Sequence, residues 1–290
     1  MQEISIGSRH SKAPPMIAGT EINAWWSEFE LELGQGLRWN LGSFQLIVFR
    51  QEGEWLLAHE CTSSEETGPG LWKVTPVSEV PADHPRLVRF ATDRETKIAE
   101  TVPRAADRSV VVKPHLPLHL LASQEARIYV SSPVWLEVTV GRRKHSLCEL
   151  PVRVLSDTWF GPNTLEGEVA YALKTRARVQ IADMPMRTYR IITPITIRNE
   201  GQDTLLIDRI NLPVPYLSVY TANDGFLWTE PVTLIRNQGA ELASLEVGTR
   251  APEEATGAKR LSEPRRTGEA GFLVRAFANL LNPFLMEDRA

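Results

Sequence analysis

A chain of 290 residues, 42% of them hydrophobic and 23% charged, has enough apolar material for a sizeable core in one large domain or two ordinary ones. A formal net charge of −4 argues against general nucleic-acid binding, which needs clustered Lys and Arg to meet phosphates. No stretch reaches the ~20 apolar residues of a spanning helix, and the start, MQEISIGSRHSKAPP, lacks the basic end and apolar run of an export signal.

Residues 1–21 read as a polar, proline-containing leader. From Trp25 the pattern turns to strands: WWSEFELEL, LRWNL, FQLIVFR and EWLLAHE, the last two joined by a short turn at Gln51-Glu52-Gly53. A polar loop, Cys61 to Gly70, precedes the shorter strands LWKVTPV, RLVRFAT and KIAET. The interval Thr101 to Arg108, TVPRAADR, carries charge and proline with little to bury. It is the predicted boundary, near residue 105, between an N-terminal β domain over 22–105 and a C-terminal β-sandwich over 106–248. Without an export signal, Cys61 and Cys148 are expected as reduced thiols and the protein as cytoplasmic.

Strands follow closely after the boundary, with Gly141-Arg142-Arg143-Lys144 as a basic hairpin tip and Asn223-Asp224-Gly225 as a second turn. The dominant stretch is TYRIITPITIRNEGQDTLLIDRINL, residues 188–212. Ile191, Thr193, Ile195 and Ile197 share one parity, with Thr196 and Arg198 on the other, the period of a half-buried strand. Asn199 to Asp203 supplies turn chemistry, and a second apolar run changes parity at Asp208-Arg209, where a bulge or a change of sheet is expected. The whole stretch reads as a long antiparallel hairpin. Strands this closely spaced, with no long amphipathic helix among them, predict an all-β fold of antiparallel β-sandwich domains, two in tandem.

From Gly248 the composition shifts to GTRAPEEATGAKRLSEPRRTGEAG, rich in charge, Gly, Pro and Ala, and 249–270 is expected as a flexible tether. It leads to GFLVRAFANLLNPFLMEDRA, where Leu273, Phe277, Leu280, Leu281, Phe284 and Leu285 follow helical spacing. An amphipathic helix over 271–286 is expected, its apolar face docking on a protein surface in preference to the membrane interface.

The run SDTWFGPNTLEGEVAYAL, followed by ITPITIRNEGQDTLLIDRINLPVPYLSVY and FLWTEPVTL, resembles the uncharacterised family known as domain of unknown function 432. The resemblance implies an all-β protein, carries over no catalytic residues, and implies a gene neighbourhood with small mechanosensitive channels, hence a channel-type partner.

Candidate chemistry is sparse. No P-loop, GxGxxG or CxxC pair is present, and no cofactor is expected. His115 and His119 have a metal pair's spacing on a helix, but Pro117 lies between them, and in a strand they sit ~13 Å apart, so no metal site is expected. His59 and Cys61 are near neighbours without a cysteine-hydrolase signature. Asp157, Glu166 and Glu168 flank Trp159-Phe160, a composition compatible with a sugar site. The functional expectation is a non-enzymatic interaction or scaffold protein that docks through its C-terminal helix on a protein partner or as a peripheral membrane contact. The alternative is a carbohydrate-binding or carbohydrate-acting protein using Asp157, Trp159, Glu166 and Glu168.

Overall fold

The computed structural model describes residues 23–62, 72–163, 165–237, 242–268 and 272–277. Among them the fold is all-β: five sheets, mostly of antiparallel pairs, with two single 3-10 turns, Ile181–Asp183 and Val214–Tyr216, as the only helical elements. A four-stranded sheet runs Ser27–Glu30, Ile98–Arg104, Trp135–Val140, His145–Pro151. An N-terminal five-stranded sheet is centred on Phe44–Gln51, and its tight turn into Glu54–Cys61 uses Gly53 at φ 74°. A second four-stranded sheet orders Ser156–Phe160, Glu168–Ala172, Val110–Val112, Ile210–Leu212, and a two-stranded sheet pairs Leu118–Leu120 with Leu205–Ile207.

The Arg190–Asn199 strand lies at the centre of the largest sheet, of eight strands. It pairs antiparallel with Glu125–Pro133 on one side and parallel with Leu227–Trp228 and Val232–Arg236 on the other. The break between those two short strands falls at Thr229 to Pro231. Proline has no N–H for the ladder, and Thr229 instead donates its own N–H to Ile192 O at 3.0 Å. The alternation read from the sequence is present: Ile191, Ile195 and Ile197 enter the main core, and Ile192 packs on the opposite face with Tyr129, Met184 and Trp228.

The expected long hairpin does not form. After Asn199 the chain leaves the large sheet. Leu205–Ile207 pairs with Leu118–Leu120 and Ile210–Leu212 pairs with Val110–Val112, so the parity switch at Asp208-Arg209 marks a change of sheet. Asn199 is the reason the chain can turn away. Fully buried, it donates to the carbonyls of Leu120, Leu121 and Asp203 at 3.0, 3.1 and 2.8 Å, and its Oδ1 accepts from the Gly201 N–H and from Arg236 Nη1. A Cβ at Gly201 would lie 2.7 Å from the Arg236 guanidinium, so glycine is needed there for close approach.

The division at residue 105 has no counterpart in the packing. Ile98–Arg104 pairs along its length with Trp135–Val140, joining strands from both sides of the expected boundary. One continuous core takes in residues of all five sheets. Trp25, fully buried, donates its indole N–H to Thr188 O at 3.0 Å, and its own carbonyl accepts from Trp39 Nε1 and Thr101 Oγ1. Two tandem sandwiches would each need a closed core, and here the two halves close each other.

Nor is 249–268 a tether. Lys259–Ser262 is a strand of the eight-stranded sheet, paired with Val219–Thr221, and the segment before it lays Ala251, Ala255 and Ala258 over Trp228 and Ile192. Ser262 donates to Pro103 O at 2.7 Å. Arg265 donates to Ala105 O at 2.8 Å and pairs with Glu149. Large side chains are not needed where alanines let the backbone approach a sheet face already carrying Trp and Tyr.

The start of the expected helix is extended. Phe272–Val274 forms the last strand of the large sheet, paired with Ala243–Val247, and Phe277 bridges to Ile210. Ala276 and Phe277 lie in the core, so Phe277 is not on a docking face, whereas Leu273 is exposed. Leu280, Leu281, Phe284 and Leu285 lie outside the described residues.

Candidate functional site

The Ser156–Phe160 and Glu168–Ala172 strands form a hairpin with Asp157 opposite Tyr171, Trp159 opposite Val169 and Phe160 opposite Glu168. Opposed residues share a face and successive ones alternate. Asp157 and Trp159 therefore sit on one face, and Glu168 sits on the other with Phe160. Glu166 is exposed in the connecting loop, where its N–H donates to Asn163 Oδ1 at 2.8 Å. The sugar-site candidates are neighbours in sequence that the hairpin separates. Their charges are also engaged: Asp157 pairs with Arg108 at 3.3 Å, and Glu168 accepts a hydrogen bond from Asn211. Trp159, 43% exposed, donates its indole N–H to Asn163 O and leans on Gly167, where a Cβ would fall 2.8 Å from the ring.

Beside this hairpin lies an open cleft of about 400 Å³, lined by Arg108, Glu168, Pro215, Arg266, Leu273 and Arg275 with their neighbours. It lies between two sheets, and the C-terminal segment, which binds both, forms one wall. Asn211 fixes that wall: its N–H donates to Ala276 O at 2.9 Å and its side-chain amide donates to Arg275 O at 3.1 Å and to Glu168. The 3-10 turn Val214–Tyr216 fixes the wall that carries Arg266, because Pro215 O accepts from the N–H groups of both Arg265 and Arg266, at 2.8 and 3.0 Å. Arg108 is less available than the other two arginines. It meets Asp157, approaches Asp107 at 3.9 Å and sits 5.4 Å over the Tyr171 ring. Burial, together with the hydrogen bond to Asp107, pushes the Tyr171 phenol up to about 12, so it remains a neutral donor. Arg266 and Arg275 have no carboxylate partner among the described residues.

The other candidates stay apart from this cleft. His115 and His119 are exposed, and among the described residues no group of three or more His, Cys, Asp and Glu is placed to hold a metal. The Cys61 thiol faces Val152 O at 3.6 Å, while burial, with help from Arg86 and His84, lowers the pKa of His59. Burial pushes the Cys148 thiol up to about 12, which keeps it protonated and a poor nucleophile. A second cleft, of about 600 Å³ at the Gly141 to Lys144 hairpin tip, sets Lys97, Arg142 and Arg143 beside Asp93 and Glu95, and Lys97 is paired with Glu30 and Glu32.

Residues 25–286 match the family described as Protein of unknown function (DUF432). The chain belongs to this family. No curated protein and no solved structure matches this DUF432 chain. Among its described residues no helix is long and apolar enough to cross a membrane. The cleft residues of the DUF432 chain escape sequence reasoning because Arg108 lies far from Arg266 and Arg275 in the chain and the three form no motif. The pair Arg265-Arg266 is visible as a basic cluster, yet the two side chains part company: Arg265 is spent on Ala105 and Glu149, and Arg266 turns to the cleft.

Proposed function

We propose that this protein is a non-enzymatic interaction protein that docks on a protein partner through the surface at its C-terminal strand. One observation carries the reading. Phe272–Val274 ends the eight-stranded sheet, pairs among the described residues with Ala243–Val247 alone, and holds Leu273 59% exposed on the wall of a cleft. A sheet edge with an exposed apolar side chain is a template on which an extended chain adds. Nothing in the arrangement of Asp157, Trp159, Glu166 and Glu168 favours the carbohydrate reading over this one.

The test is a photo-crosslinking side chain placed at position 273 of the full-length protein in its own cells, with position 116 as the comparison, since Leu116 is exposed away from the cleft-lining residues. A discrete protein adduct from 273 and not from 116 is expected. The partner so identified, once purified, should bind the wild type and lose the Leu273→Glu variant at unchanged thermal stability. Equal adducts from both positions, or adducts to lipid alone, would overturn the reading.

A further inference from the structure

We infer that the segment this cleft receives is an acidic, extended peptide, whose carboxylates are read by Arg266 and Arg275. The inference rests on the docking surface proposed above and adds the chemistry of its occupant. In a chain of net charge −4, three arginines line one cleft against a single lining carboxylate among the described residues, Glu168. That carboxylate is occupied by Asn211, itself only 2% exposed. Arg108 is committed to Asp157, so among the described residues the charge without a carboxylate partner belongs to Arg266 and Arg275.

Both project from backbone that is already fixed. Pro215 O holds Arg266 by its N–H, and Asn211 holds Arg275 by its carbonyl. A guanidinium on fixed backbone offers a carboxylate a planar fork, so less side-chain freedom is lost per hydrogen bond formed than with a lysine. Leu273 and Arg275 stand two residues apart on nearly extended chain, so an apolar and a cationic side chain follow one another at the spacing of a strand. A ligand whose own side chains alternate at that spacing can meet both. A free phosphate would satisfy the cations and leave the exposed Leu273 and the sheet edge unused. An anionic membrane is disfavoured by Asp107 and Asp157, both exposed beside the cleft-lining Arg108.

The experiment is fluorescence anisotropy on the full-length protein, with a labelled, end-blocked peptide of repeated Glu-Ser-Val-Ser, which sets glutamate and valine two residues apart on one strand face, as the probe. A second peptide carries glutamine for glutamate; inorganic phosphate and vesicles containing phosphatidylglycerol are offered as competitors. The acidic peptide should bind at least about tenfold more tightly than the neutral one, and Arg266→Gln with Arg275→Gln should remove about that factor while leaving the neutral peptide unchanged. Added salt should weaken the acidic peptide selectively. Failure of the acidic peptide to bind overturns the inference. So does competition by phosphate or vesicles as strong as that by unlabelled peptide. If the two peptides bind equally and Leu273→Glu abolishes both, the docking surface stands and its selectivity for acid falls. If neither binds and the 273 crosslink is also lost, both readings fall.

Discussion

The Arg190–Asn199 strand and the segment 249–277 contribute to the same fold by opposite means. The first buries Ile191, Ile195 and Ile197 in one face of a central strand, a period-two pattern of large side chains that any reading of the sequence finds. The second buries Pro252, Ala255, Ser262, Ala276 and Phe277, mostly small or polar residues scattered among charges. Its hold comes from backbone pairing at Lys259–Ser262 and Phe272–Val274 and from the fit of alanines against Trp228, Tyr129 and Ile192. A segment needs only to be complementary to something already apolar, and its own hydrophobicity does not record that.

The comparison is broken most severely by removing the second segment. Truncation before residue 249 strips two strands from the large sheet, uncovers Trp228, and frees Pro103 and Ala105 from the chain that Ser262 and Arg265 lay over them. The expected loss approaches the whole stability of a typical domain, ~5–15 kcal/mol. The truncated protein should lose its cooperative thermal transition in calorimetry. A truncated protein melting cooperatively near the wild-type temperature would show that the segment is an ornament on a self-sufficient core.

Next in size is a charge on the first segment. Ile197→Asp places a carboxylate at a fully buried position and should cost at least ~4 kcal/mol. Arg198→Asp, on the partly exposed parity where Arg198 meets Glu125 at 3.5 Å, should cost less than ~1 kcal/mol. Urea midpoints measure both, and equal effects would mean the face assignment is wrong. Phe277→Ala is the matching substitution in the second segment. Phe277 is 5% exposed against the core, and its loss should cost ~3–5 kcal/mol, a core-sized effect from a residue whose helical spacing suggested an exposed docking face.

These pairs show what is readable in the sequence and why the rest is not. Strand periodicity survives because alternation is local: the turns at Gly53 and Gly225 and the hairpin tip at Gly141 all stand where turn residues predicted them, each glycine at positive φ. Sheet membership is not local. The turn residues after Asn199 suggested a hairpin, but Asn199 uses its side chain to accept Arg236 and to bind Leu120 and Leu121, and these partners lie 37 to 79 residues away. The interval 101–108 looked like a linker and 249–270 like a tether for one shared reason. Each lacks the apolar surface to fold alone, and they lie against each other. Periodicity also misleads at 273–277, because Leu273 and Phe277 are spaced for a helix while their backbone is tied to Ser244 and Ile210 as strand and bridge.

The smallest effect sharpens the comparison through the ion pair that anchors the first segment's exit. Arg236 reaches Asp203 at 3.0 Å and Asn199 at 3.2 Å, and its hydrogen bond and charge hold the Asp203 carboxyl below the usual carboxylate range. A carboxyl with a depressed folded-state pKa contributes stability that is present above its unfolded value, about 3.9, and is lost as pH falls through the folded one. The Asp203 side chain is 51% exposed, so water screens most of this, and the contribution stays below ~1 kcal/mol. The buried Asn199 hydrogen bonds keep the turn in place without it. Asp203→Asn should therefore lower the urea midpoint slightly at neutral pH, and that difference from wild type should vanish as pH falls through the lowered folded-state value of Asp203. If the gap persists undiminished in acid, the loop depends on the shape of Asp203 and not on its charge. If Asp203→Asn costs as much as Phe277→Ala, the turn that looked self-sufficient in the sequence depends on its ion pair as heavily as the C-terminal segment depends on its fit.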